Sequence, residues 1–238
     1  GKEWTKGGDT EPCADPGEAR ERRDRETLTL SQEELVRKVH AANPRTVMVL
    51  VSSFPYTINW SQEHVPAIVH MAHSSQDEGW ALAQVLFGDY NPGGHTVVTW
   101  PASMDELPPM LDYDIRHGRT YMYAKGTPLY PFGHGLSYTT FDFARLQTDT
   151  PALLRDGQLE VSVDVTNTGK AAGDAVPQLY VQHLGSKVAR PAQQLAGFSR
   201  IHLAPGETKT VRIPLKAQQL AYWDTDRKAF VVEQESVR

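Results

Sequence analysis

Apolar residues recur along this chain with two different periods. Between Ser31 and Ala42 the spacing is helical: Leu35, Val36, Val39 and Ala42 fall on one face. Ser31 and Glu34 stand at capping-box spacing ahead of them, and Asn43-Pro44 supplies the stop. TVMVLVSS (46–53) and VPAIVHMA (65–72) are unbroken apolar runs, the pattern of parallel strands covered on both faces. Ser75 and Glu78 repeat the capping box before a second helix through Ala81, Leu82, Val85, Leu86 and Phe87 to Gly88. NPGG (91–94) then predicts a turn and HTVVTWP (95–101) a further strand. Two strand–helix–strand units do not close an α/β domain, so the first strands of the sheet are expected upstream of Gly1.

After Thr150 the period changes to alternation. Leu159, Val161, Val163 and Val165 share one face, followed by Leu179 and Val181, Ile201 and Leu203, and Val211, Ile213 and Leu215. Asn167-Thr168-Gly169 and Pro205-Gly206 punctuate these runs, and short alternating strands at such spacing indicate an antiparallel sandwich of immunoglobulin or fibronectin type. Residues 1–30, dense in charge with Gly7-Gly8, Pro12 and Pro16, read as surface loop, and 101–138 as packed loop or linker. The predicted architecture is thus α/β followed by all-β: part of an α/β sandwich domain over 1–125, a linker over 126–150, and an antiparallel β-sandwich over 151–238. The terminal VVEQESVR leaves that sandwich expecting a last strand.

Composition narrows the functional classes. In 238 residues, 39% hydrophobic and 22% charged, one fair-sized core or two small ones are possible. A formal charge of -5 with both signs interspersed gives neither a nucleic-acid surface nor a polyanion-repelling shell. No apolar run approaches the roughly 18–20 residues that span a bilayer, and GKEWTKGGDTEP lacks the apolar segment of a signal peptide, so either the chain is cytosolic or its natural N-terminus lies further upstream. The single cysteine, Cys13, excludes an intrachain disulfide framework and a multi-cysteine metal site.

Several phrases, in order and spacing, resemble glycoside hydrolase family 3: ERRDRETLTL (21–30), NPRTVMVLVSSFPYTINW (43–60), VLFGDYNPGG (85–94), DYDIRHGRTYMY (112–123) and PLYPFGHGLSYTTF (128–141). VSVDVTNTGKAAGDAVPQLYV (161–181) and LAGFSRIHLAPGETKTV (195–211) extend the resemblance over nearly the whole chain. It implies the later part of an α/β sandwich domain and most of a fibronectin-III-like domain, preceded in the family by a TIM-like barrel. It also implies retaining, exo-acting hydrolysis of an oligosaccharide or an aryl or alkyl β-glycoside, a β-xyloside or β-glucoside, with no cofactor, and a secreted or periplasmic setting. The family's nucleophile is an aspartate of the barrel, and nothing in this chain matches it.

The family's acid/base glutamate stands three residues before an Asp-Arg pair, and here Glu21 stands three before Asp24-Arg25. Arg22-Arg23 depart from the small or apolar residues common there, and Glu18 is the alternative. From pattern alone Glu21 reads as a solvated carboxylate beside an arginine; the resemblance turns it into a proton donor. Arg20, Arg22, Arg23 and Arg25 would lower its pKa, whereas a general acid needs it raised by burial or a like charge, which the barrel would supply. His70 and His73, three apart on a predicted strand, point to opposite faces and do not make a metal site. GHG (133–135) reads as a tight turn, Trp60, Trp100 and the tyrosines of 113–123 mainly as packing, and Asp112 and Asp114 as turn formers or helix caps. The competing function is a non-catalytic module that binds carbohydrate or a partner through the sandwich.

Overall fold

The computed structural model describes residues 28–73 and 76–238. Glu18, Glu21 and Ser75 lie outside the described residues. Two compact units emerge: one holds the described part of Gly1–Gln76 with Val97–Thr120 and Ala124–Phe132, the other Asp77–Thr96, Tyr121–Tyr123 and Gly133–Arg238.

In the first unit, helix α1 (Glu33–Ala42) leads into strand β1 (Val47–Val51), helix α2 (Asn59–His64) and strand β2 (Ala67–Met71). The strands pair in parallel, Val47 opposite Ala67 through Val51 opposite Met71. A parallel pair needs a crossover, and α2 is its helix. Asn43 ends α1 as expected: its side chain accepts from Arg45 N at 3.1 Å and its carbonyl from Thr46 Oγ1 at 2.6 Å.

Three expectations are corrected here. The capping box of Ser31 does not form; its hydroxyl bonds the side chain of Gln32, and α1 starts at Glu33 without a side-chain cap. The predicted apolar face of α1 does not turn inward either, since Leu35 and Val39 are 62% and 44% exposed. Glu33 decides the rotation: its Oε1 accepts from Ser61 N at 3.1 Å and Ser61 Oγ at 2.8 Å, capping the helix opposite, while Arg37 lies over the Trp60 ring. Two charge-assisted bonds to a fully buried serine outweigh the partial burial of two aliphatic side chains. Finally, β1 is covered on one face only. Met48 and Leu50 pack with Ile58, Val65 and Trp100, while Val47, Val49 and Val51 are exposed, because the described elements of this unit supply cover on a single side.

The second unit opens with helix α3 (Glu78–Phe87), ended by Gly88 in the left-handed conformation that glycine adopts without a Cβ penalty. The strand predicted at 95–101 is absent. Thr96 bonds Gly133 and His134, and Trp100 makes one bridge with Tyr130. Gly133, at φ 80°, turns the backbone out of the extended conformation a longer ladder needs. The GHG turn is real: a Cβ on Gly135 would run into the Gly94 carbonyl.

The remainder is antiparallel. Strands β3 (Phe141–Thr148), β4 (Gln158–Asn167) and β9 (Thr208–Lys216) form one sheet in the order β3-β4-β9. Pairs β5 (Gly173–Ala175) with β8 (Ile201–Leu203) and β6 (Gln178–Val181) with β7 (Gln194–Phe198) complete the sandwich, with a hairpin of β10 (Tyr222–Asp224) and β11 (Ala229–Val231). The alternating residues read from the sequence are its core: Leu159, Val161, Val181 and Leu215 in one cluster, Val165, Leu203, Val211 and Ile213 in another. β3 falls in the stretch 126–150 expected as linker. It carries a bulge between Ala144 and Gln147, where Arg145 adopts φ 54° and its Nε donates to Asp164 at 2.5 Å. Residues 182–184 pair with 236–238, and the segment before them is tied by Glu233 and Glu235, which accept from the backbone N–H of Lys187 and Gly185.

At the end of β4 Asn167 is fully buried with every side-chain valence used. Its Oδ1 accepts from Thr139 Oγ1 (2.6 Å) and Gly169 N (3.1 Å); its Nδ2 donates to Ala171 O (2.8 Å) and Leu203 O (3.0 Å). Asn167→Ala removes the partner of four polar groups, two in buried bonds and two in part-buried ones, so we expect a loss of about 3 kcal/mol in urea unfolding at unchanged m-value. A loss under about 1 kcal/mol would show that the network adds little.

Candidate functional site

Open α/β sheets bind ligands at the carboxyl ends of their strands. In the first unit that edge is built by the loop after β1, residues 52–58, and by His70 near the end of β2. Leu28–Leu30, the end of the ERRDRETLTL phrase, runs alongside: Thr57 N donates to Leu28 O at 2.9 Å, and Thr29 bridges Thr57 in parallel. The chain therefore enters the described unit at this edge, seven residues after Glu21. Phe54 and Tyr56, with ring centroids 5.0 Å apart, lie on the same loop.

Ser52 and His70 meet here, a pair with the look of a nucleophile and its base. The hydrogen bonds assign another role. His70 Nε2 lies 3.2 Å from the Ser52 carbonyl oxygen, which only accepts, so Nε2 carries the proton. Ser52 Oγ, also 3.2 Å from Nε2, donates its own proton to Phe54 O at 2.9 Å. With Nε2 a donor, His70 does not abstract the serine proton; the pair clamps the β1 loop. Trp100, 2% exposed, packs edge-on against the imidazole at 5.0 Å and against Tyr130 at 5.6 Å. Partial burial lowers the His70 pKa, which favours the neutral ring, against the smaller opposing pull of the Ser52 carbonyl.

The segment 109–119 is a second organised element. Arg119 donates to three carbonyls, of Asp112 (2.7 Å), Pro109 (2.6 Å) and Met110 (3.1 Å). Asp112 accepts from Asp114 N and from His117 Nδ1 at 2.7 Å; Asp114 accepts from Arg116 N and from Arg116 Nε at 2.8 Å. Both aspartates are the turn and cap residues expected of them. Hydrogen bonds from Arg116 hold the Asp114 carboxyl far below the carboxylate range, and the His117 bond lowers Asp112. Groups held so firmly ionised are unsuited to donate a proton at neutral pH.

Among the sequence-predicted residues, Trp60 packs under Arg37 and stacks on His64 at 4.5 Å, and Trp100 is core, so both serve packing. Tyr113 is 82% exposed and does not pack. No cluster of three His, Cys, Asp or Glu suited to a metal occurs among the described residues, and no described helix is long and apolar enough to cross a membrane. The phrases VLFGDYNPGG and PLYPFGHGLSYTTF meet in the second unit: Asn91 accepts from Ser137 Oγ (2.9 Å) and Tyr138 N (2.7 Å), and Tyr138 OH donates to Val85 O. Their motif residues are structural. The Ser52–His70 clamp and the Arg119 anchor went unread in the sequence; a polar pair at the ends of two apolar runs was the available signal.

Comparison with known proteins bears on the same residues. Residues 7–138 match the glycosyl hydrolase family 3 C-terminal domain, and residues 175–238 a fibronectin type III-like domain. The chain is 36% identical over 214 residues to a periplasmic beta-glucosidase of Salmonella typhimurium, covering 85% of this chain and 28% of that protein. It is 38% identical over 204 residues to a beta-xylosidase of Formosa agariphila, covering 84% and 28%. A crystal structure of beta-glucosidase from Kluyveromyces marxianus in complex with glucose superposes with TM-score 0.80 at 35% identity, over 90% of this chain and 27% of that one. The chain thus spans little more than a quarter of the length of these relatives.

Because the folded His70 binds a proton less readily than the unfolded one, its contribution is present above the ordinary histidine pKa of about 6.5 and lost as pH falls below it. We expect the urea midpoint to drop between pH 7.5 and 5, and to drop less in His70→Gln, whose amide donates but does not titrate. Equal drops in the two proteins would remove His70 from the cause.

Proposed function

The chain belongs to glycosyl hydrolase family 3, and on that premise we propose that it is the α/β and fibronectin-III-like part of a retaining, exo-acting β-glycosidase, supplying its acid/base carboxylate. The observation that carries the reading is the family match over residues 7–138, the span that contains Glu18 and Glu21. Retention requires two carboxyl groups roughly 5–5.5 Å apart, one attacking the anomeric carbon and one protonating the departing oxygen, then activating water. Glu21 is the proposed proton donor and base, on its spacing to Asp24-Arg25; Glu18 is the alternative. The nucleophile is an aspartate of an N-terminal barrel, and its negative charge raises the pKa of the donor against the surrounding arginines.

Entry of the chain at the carboxyl edge of β1 and β2 supports this placement, since seven residues reach at most about 25 Å from Leu28. The substrate proposed is a neutral β-glucoside or β-xyloside, in keeping with relatives named beta-glucosidase and beta-xylosidase. Export is proposed with it, one relative being a periplasmic enzyme.

In the full-length enzyme, Glu21→Gln should slow glycosides with poor leaving groups by about 10²–10⁴-fold, while activated aryl glycosides still glycosylate the enzyme. The glycosyl-enzyme should then accumulate, and azide, which attacks without a base, should restore turnover. If Glu18→Gln shows this pattern and Glu21→Gln behaves as wild type, the assignment moves to Glu18.

The 238-residue chain alone, holding one carboxylate of the pair, should not hydrolyse nitrophenyl β-glucoside or β-xyloside. Turnover by the purified chain above that of its Glu21→Gln variant would show that a nucleophile is present in it.

A further inference from the structure

The β10–β11 hairpin carries two large aromatic side chains on its outer face. Trp223 and Phe230 are directly opposed in register, their rings edge to face at 5.2 Å, and they are 52% and 72% exposed. The inner face is fully used: Tyr222 packs under the Arg190 guanidinium at 4.9 Å, and Asp224 closes the turn by accepting from Asp226 N and Arg227 N. Alternation therefore holds the aromatic pair outward by the same register that anchors the hairpin inward.

Beside Phe230 lies an open surface depression of about 320 Å³, lined by Arg155, Asp156, Gln218, Ala221, Phe230 and Val232. That volume is at the lower end of small-molecule sites, room for one or two sugar rings. Its apolar wall is one ring of the aromatic pair with Ala221 and Val232. Its polar wall is a guanidinium, a carboxylate and an amide, which together both donate and accept. All three side chains are exposed and so accessible to a ligand, and the two charges cancel.

We propose that this depression and the Trp223–Phe230 pair form a non-catalytic binding site for neutral β-linked gluco- or xylo-oligosaccharides on the fibronectin-III-like domain. A pyranose with equatorial hydroxyls presents a flat C–H face to an aromatic ring and a rim of vicinal hydroxyls to Arg155, Asp156 and Gln218. The opposite charges of Arg155 and Asp156 offer an anionic sugar no net attraction, and sugar hydroxyls can bond all three polar side chains. The choice of β-linked glucose or xylose among neutral sugars rests on the β-glycosidase reading; the aromatic and polar walls do not.

Cellohexaose, xylohexaose and a polygalacturonate control should be titrated into the 238-residue chain by calorimetry. Binding of at least one neutral oligosaccharide is expected, with at least a tenfold weakening in Trp223→Ala/Phe230→Ala. The Arg155→Ala/Gln218→Ala variant on the polar wall should weaken it likewise, and decides the matter if the aromatic variant loses its native circular dichroism. Absence of binding at millimolar sugar, preference for polygalacturonate, or unchanged affinity in a folded variant overturns the site. In the full-length enzyme the aromatic variant should leave nitrophenyl-glycoside turnover unaltered, whereas Glu21→Gln should leave oligosaccharide binding at the hairpin unaltered. The two readings therefore fail separately.

Discussion

The second unit depends on one buried amide. Asn167 closes β4, the strand paired along both edges, and from that position bonds the β8 carbonyl of Leu203, the turn at 169–171 and the hydroxyl of Thr139 just before β3. A buried amide satisfied on all four valences admits few alternative registers, because any slip leaves unpaired polar groups in the core. The aliphatic side chains around it, Val165, Leu203 and Val211, supply burial without direction. The amide sets where each strand ends.

Polar contacts also override apolar pattern in the first unit. Glu33 turns α1 so that its acid caps α2 through Ser61, and Leu35 and Val39 go to the surface. His70 turns its N–H onto the loop after β1, which spends both the imidazole proton and the Ser52 hydroxyl on holding backbone. These two clamps shape the carboxyl edge where the segment bearing Glu18 and Glu21 joins the described fold. The acid/base role proposed for that segment requires a second carboxylate.

The family's sequence phrases divide between the two units and are mostly structural. Asn91, Ser137 and Tyr138 knit two of them together, Arg119 fixes a third, and Asn167 sits in another. Such structural residues say little about the reaction, which is argued from the site.

By itself the sequence determined the class of each half: unbroken apolar runs for the parallel pair, strict alternation for the sandwich, and turn residues where strands end. Those features are local, set by backbone period and by residues such as Gly88, Pro44 and Gly206 whose conformational limits act at their own positions. Only the tertiary structure decided that 95–101 forms no strand, that Phe141–Thr148 does, that α1 presents Glu33 inward, and that Ser52 and His70 are a clamp. Each of those outcomes depends on a partner distant in sequence: Gly133, Asp164, Ser61 or a backbone carbonyl. Hydrogen-bond satisfaction between remote segments is a property no local pattern of apolar residues encodes.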